Sequence, residues 1–161
     1  GSQLEVRKKS LNGAINELSK TDARIYIDAG HSEWVSPVDT VKRLQMLDMS
    51  KTDGISVNVS NYQTNADSKE FATNVLDQLA VPQLNAVVDT SRNGNGPPAG
   101  NEWCNPLGRR VGTSSVMKQD GRVAGYLWIK VPGESDGSGS TCSNGTREGS
   151  FWLEYAIGLV S

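Results

Sequence analysis

Apolar positions along this chain alternate between a helical and a strand rhythm. Leu4, Leu11, Ile15 and Leu18 recur at helical spacing and predict an amphipathic helix over about residues 4 to 19. The β-branched run Arg24-Ile25-Tyr26-Ile27-Asp28 predicts a short strand. Pro37 then sits where a first helical turn begins, ahead of Val38, Val41, Leu44 and Leu47. A strand from Ile55 to Val59, a helix over about residues 67 to 79 carrying Phe71, Val75 and Leu79, and the strand Ala86-Val87-Val88-Asp89 come next. A long irregular segment from Thr90 to about Gly121 precedes a strand over Gly125 to Val131 and a last helix over about residues 150 to 159. On this reading Trp128, inside a strand, and Trp152, on the last helix, are core residues.

Four strands alternating with four helices predict an α/β fold with parallel strands and right-handed crossovers, either a small Rossmann-like sheet or part of a (β/α) barrel. No repeat and no composition shift marks a linker, so residues 1 to 161 read as a single domain. With 36% hydrophobic and 21% charged positions the chain belongs among ordinary globular sequences rather than disordered ones. A formal charge of -2 supplies no basic field for a nucleic-acid backbone. No stretch approaches the roughly 18 to 20 consecutive apolar residues of a membrane span, and Gly1-Ser2-Gln3-Leu4 lacks a charged-then-apolar signal pattern.

Polar chemistry gathers where the predicted strands end. Asp28-Ala29-Gly30-His31, with Trp34 just beyond, closes the first; Asn58 and Asn61-Tyr62 follow the second; Asp89-Thr90-Ser91-Arg92-Asn93 follows the third. The fourth delivers Lys130, Glu134 and Asp136 into a loop bounded by Pro132, Gly133 and Gly137. In an α/β sheet such ends face the ligand crevice, so four of them together predict a binding cleft. Two readings stay open for His31, a structural hydrogen bond orienting Asp28 or a direct sugar contact. Asp89 and Arg92 likewise either form a buried ion pair or touch substrate. Trp34 and Trp103, flanked by loop residues, suit flat platforms for sugar rings. A single histidine with scattered carboxylates makes a poor metal-ligand set. Cys104 and Cys142 fit a loop-closing disulfide and hence an oxidising compartment. Asn144-Gly145-Thr146 matches a glycosylation sequon, and the match at Asn58-Val59-Ser60 reads as chance.

Tyr26-Ile27-Asp28-Ala29-Gly30-His31-Ser32-Glu33-Trp34, Asn58-Val59-Ser60-Asn61-Tyr62, Asp89-Thr90-Ser91-Arg92-Asn93-Gly94, Glu102-Trp103-Cys104-Asn105-Pro106 and the Lys130 to Gly137 run together resemble the family 6 glycoside hydrolases, the inverting cellulases. The resemblance runs from about residue 10 to residue 158. It implies the carboxyl-terminal part of a distorted, TIM-like (β/α) barrel with outer helices, and a cleft for β-1,4-glucan hydrolysed with inversion. Asp136 matches the carboxylate discussed as the base, acting through a water chain, and Asp28, the second catalytic candidate, matches with His31 the strand-end pair near the reacting sugar. Lys130 and Glu134 match residues that hold sugar hydroxyls, Trp34 and Trp103 match stacking positions, and Asn58 and Asn61 lie in the matching second motif. No metal or organic cofactor is required. Inversion needs an acid on the leaving oxygen and a base on a water at the opposite face, with carboxyls roughly 6.5 to 9.5 Å apart.

The family's Tyr-Asp-x-Pro-like motif and its general-acid strand have no counterpart here. The resemblance therefore implies a missing amino-terminal portion and a complementary polypeptide to cover an unpaired strand edge. A secreted endoglucanase is the expected whole, with a cellobiohydrolase or a catalytically incomplete glucan-binding piece as the alternatives.

Overall fold

The computed structural model describes residues 3–139, 142 and 145–161. Its elements are α1 (Gln3–Leu18), β1 (Tyr26–Asp28), α2 (Pro37–Leu44), β2 (Gly54–Val57), α3 (Asn65–Leu79), β3 (Asn85–Asp89), β4 (Val116–Asp120), β5 (Val123–Leu127) and α4 (Leu153–Val160).

Local chemistry sets the helix boundaries. Ser36 caps α2 by accepting from the Asp39 amide, with Pro37 in the first turn, and Val41 and Leu44 form the buried stripe. Thr64 caps α3 in the same way through the Asp67 amide. Phe71, Ala72, Val75, Leu76 and Leu79 then recur at helical spacing on its buried face, until Ala80 turns left-handed and ends it. Ile55, Val57, Ala86 and Val88 of the central strands pack with these helices in one core. All four residues of β2 are buried, as parallel strands covered on both faces require. Gly54 is needed where β2 meets β3, because a Cβ there would lie 1.7 Å from the Asn85 carbonyl oxygen.

The sheet order is β1-β2-β3-β5-β4. β1, β2, β3 and β5 run parallel, so Asp28, Val57, Asp89 and Leu127 all end at one edge of the sheet, where the site is built. β4 is a fifth strand that the hydrophobic pattern does not show. It pairs antiparallel with β5 across a tight turn at Gly121 (φ 63°). Its residues Val116-Met117-Lys118-Gln119 are exposed, so no buried face imposed an apolar alternation on them. Tyr126 on β5 donates to Asp120 at 2.8 Å, and Lys69 of α3 pairs with the same carboxylate.

Three other expectations need correction. On α1 only Ile15 is buried; Leu4, Leu11 and Leu18 are exposed on the described surface. Leu4 and Leu11 line an apolar groove with Ile27, Trp34, Leu44 and Leu47, beside the β1 edge that no described strand pairs. Trp128 lies just past the end of β5, is partly exposed, and gives its indole N–H to the Thr113 carbonyl at 2.9 Å. Trp152 precedes α4 and stacks on Tyr155 with ring centroids 5.4 Å apart, and it is Tyr155 and Leu159 that α4 buries. No described helix is long and apolar enough to cross a membrane.

Candidate functional site

Asp89, at the end of β3, organises the loops around it. Its side chain is fully buried, and it accepts from the amides of Ser60 (2.9 Å), Ser91 (2.9 Å), Lys130 (3.0 Å) and Ile129 (3.3 Å). One carboxylate thus ties together the ends of β2, β3 and β5, with buried charge compensated by four N–H donors. It does not pair with Arg92, so the ion pair considered from the sequence is not the one formed.

Arg92 reaches Asp136 instead. Its Nη1 lies 2.8 Å from Asp136 Oδ2, its Nη2 donates to the Ser60 carbonyl at 2.5 Å, and its guanidinium stacks 4.7 Å above the centroid of the Tyr62 ring. Burial is the largest single influence and opposes the guanidinium charge, but the hydrogen bond to Asp136 together with the charges of Tyr62, Asp136 and Tyr155 outweighs it and holds Arg92 above its ordinary value. The Tyr62 hydroxyl donates to Asp136 Oδ2 at 3.2 Å, and burial pushes that phenol up, with Arg92 partly opposing. The Asn105 amide is a third donor to the same oxygen, at 3.0 Å. Oδ1 faces Lys130 Nζ at 3.5 Å, and Lys130 also lies 3.7 Å from Glu134. Two cations and two carboxylates therefore meet in one cluster, in which Arg92 is fully buried, the Asp136 and Lys130 side chains are nearly so and Glu134 is partly open.

A cleft opens beside Tyr62. It is lined by His31, Glu33, Trp34, Asn61, Tyr62, Gln63, Pro98, Glu102 and Trp103. Trp34 and Trp103 are 67% and 54% exposed, so both keep broad apolar faces in solvent. His31 stacks on Trp34 at 6.4 Å between centroids, and Gly30 (φ 80°) makes room, since a Cβ there would lie 2.6 Å from the Trp34 ring. Burial lowers the His31 pKa, opposed by Glu33 and Asp28. Its Nδ1 is buried without a partner, and Asp28 accepts from the Gly30 amide, so the hydrogen bond orienting Asp28 is not made.

The remaining predicted residues divide. Cys104 and Cys142 are disulfide-bonded, with Cα atoms 5.4 Å apart, and join the loop after Trp103 to the loop after Asp136. Asn58 is a correction: it is fully buried, donates to the carbonyls of Gln63 and Asp89, and accepts from the Gln63 amide, so the chain itself consumes its amide group. Asp28 is exposed and lines the groove beside α1 rather than the His31–Trp103 cleft. Among the described residues no group of three or more His, Cys, Asp or Glu could hold a metal ion. The sequon at Asn144 lies outside the described residues.

The model of the Glycosyl hydrolases family 6 matches residues 2–161. The chain belongs to glycosyl hydrolase family 6. Among family relatives, Endoglucanase A of Cellulomonas fimi is 43% identical over 151 residues, which cover 93% of this chain and 32% of that protein. Endoglucanase 1 of Streptomyces halstedii is 37% identical over 99% of this chain and 50% of its own length. The chain thus spans 32% to 50% of the length of these relatives. In structure it is similar to the endoglucanase Cel6 of Mycobacterium tuberculosis, solved with methyl-cellobiosyl-4-deoxy-4-thio-β-D-cellobioside, at TM-score 0.87 and 35% identity, covering 96% of this chain and 53% of that one. The family fold is a distorted (β/α) barrel, and the α/β architecture with outer helices is consistent with the carboxyl-terminal part of it.

Within the family 6 site, sequence reasoning missed Arg92 as the partner of Asp136, Tyr62 and Asn105 as its further donors, and Asp89 as the tie between loops. All four stand in motifs that the resemblance rests on, and that was the available signal.

Proposed function

We propose that this chain carries the base and half of the glucan cleft of a secreted endoglucanase that hydrolyses internal β-1,4-glucosidic bonds of cellulose with inversion. The observation that carries the reading is Asp136, held by three donors, one of which, Tyr62, lines a cleft with two open tryptophan faces. With Oδ2 taken by those donors, Oδ1 is the oxygen left to take a proton from water as that water attacks the anomeric carbon. Trp34 and Trp103 stack on sugar rings, Asn61 and Glu134 bond hydroxyls, and Lys130 fixes the charge balance beside them. His31 serves as a sugar contact, since its ring lines the cleft beside Trp34.

Leaving-group protonation is assigned to no residue of this chain. Leu4, Val6 and Leu18 on α1 and Leu153, Ile157 and Val160 on α4 are exposed apolar surface that a complementary polypeptide would cover. The endo assignment is supported by relatives named endoglucanase at 37% to 43% identity, against 28% for relatives named cellobiohydrolase. Secretion is supported by the disulfide.

The test compares the 161-residue chain with the full-length protein that carries it on soluble carboxymethyl-cellulose. Full-length protein should lower viscosity well ahead of releasing reducing ends and should yield the α-anomer first by NMR, whereas the chain alone should bind cellulose weakly and cut it negligibly. Equal hydrolysis by the chain alone would overturn the missing-acid reading, and slow viscosity loss would favour exo action.

A further inference from the structure

Asn105 is a fully buried residue with φ 47°, immediately after Cys104. Its bonds straddle Asp136. The backbone amide of Asn105 donates to Asp136 Oδ2 at 3.0 Å, and the Asp136 amide donates to Asn105 Oδ1 at 2.7 Å. Nδ2 of Asn105 donates onward to the Gly137 carbonyl at 3.0 Å and lies 3.3 Å from Cys142 Sγ. The Asn105 side chain thus fixes the backbone on both sides of Asp136, while its own amide fixes the carboxylate. The two loops of this clamp are crosslinked next door by Cys104–Cys142.

The geometry points to Asn105, braced by the Cys104–Cys142 disulfide, as the positioning residue of Asp136. This rests on the reading of Asp136 as the base. Asn105 is fully buried, so it acts through Asp136 and not on sugar. Its left-handed backbone is one that asparagine adopts with less strain than most residues. It is also one that glycine adopts freely, so Asn105→Gly removes the side-chain bonds to the Asp136 amide and the Gly137 carbonyl, keeps the backbone amide that donates to Asp136 Oδ2, and does not strain the chain. A base displaced by about 1 Å loses on the order of a hundredfold in rate.

The experiment measures kcat and KM on cello-oligosaccharides in the full-length protein, well below each variant's melting temperature, for N105G, D136N, the N105G/D136N double variant and C104A/C142A. N105G should lower kcat by tenfold to a hundredfold with KM within threefold, C104A/C142A should lower kcat by a smaller factor, and N105G should cost nothing further in the D136N background. N105G with kcat within twofold of wild type while D136N is inactive would overturn the inference and leave the base assignment standing. A loss from N105G that is undiminished in the D136N background would overturn it as well. D136N with near-normal kcat would instead remove the base assignment on which the inference stands.

Discussion

Asp136 and Trp103 sit on loops joined by one disulfide, yet they meet their surroundings in opposite ways. The Asp136 carboxylate is almost fully buried and contacts Arg92, Tyr62, the Asn105 amide and Lys130. Trp103 leaves half of its surface open, and it is its backbone carbonyl, 3.3 Å from the Tyr62 hydroxyl, rather than its indole that faces the Asp136 cluster. A base must hold one position against a reacting water, whereas a stacking platform needs only a flat face and tolerates sliding. Substitutions at the first should therefore disturb folding or turnover, and substitutions at the second should disturb binding alone.

The largest stability effect is expected at Arg92. Arg92→Met keeps length but leaves Asp136 without its closest cation, and breaking a buried pair from one side costs about 3 to 5 kcal/mol. The side chains are 0% and 8% exposed, so little solvent screening offsets that cost. Chemical denaturation should show the loss, and a variant within about 1 kcal/mol of wild type would mean that Lys130 alone suffices.

Trp103→Ala should behave in the contrary way. Affinity for cello-oligosaccharides should fall by about 1 to 3 kcal/mol, by analogy with aromatic stacking on other flat rings, while the unfolding midpoint barely moves. Titration calorimetry and thermal melts separate the two effects, and a collapsed fold would place the indole in the structural half of the comparison.

The smallest effect is a pH slope at His31. Its pKa is lowered from 6.5 by burial, so as pH falls through 6.5 the unfolded chain takes up a proton that the folded chain still refuses. Stability should therefore be fully retained above 6.5 and decline below it, by less than one bound proton. Asp39, Asp48 and Asp120, whose pKa values are lowered from 3.8, affect only a lower window. His31→Gln should flatten the slope around pH 6, and an unchanged slope would assign it elsewhere.

The same contrast explains what the sequence revealed. Trp103 and Trp34 were legible because glycine- and proline-rich neighbours keep an indole out of a core, and exposure is a local property. The order of strands and helices was legible for a similar reason, since Phe71, Val75 and Leu79 repeat at helical spacing within one segment. The partner of Asp136 was not. Arg92 is 44 residues away, and its side chain could have turned to Asp89 three positions back; only the packing of the loops over Tyr62 decides between them. Asn58 failed in the opposite direction, because a polar residue past a strand end serves equally to face a ligand or to plug the sheet. Its φ of 62° and full burial make it the plug. β4 escaped because an exposed edge strand carries no apolar alternation.

Asp136→Asn in the full-length protein is the most direct test that this chain holds the base of the reaction. The substitution keeps size and takes away the charge, so kcat should fall at least about a hundredfold while cello-oligosaccharides bind nearly as before. Glu134→Gln should chiefly raise KM, and Asp28→Asn, whose side chain faces the groove beside α1, should cost less than either. Near-normal kcat in Asp136→Asn, with activity abolished instead by Glu134→Gln or Asp28→Asn, would contradict the account at its central residue.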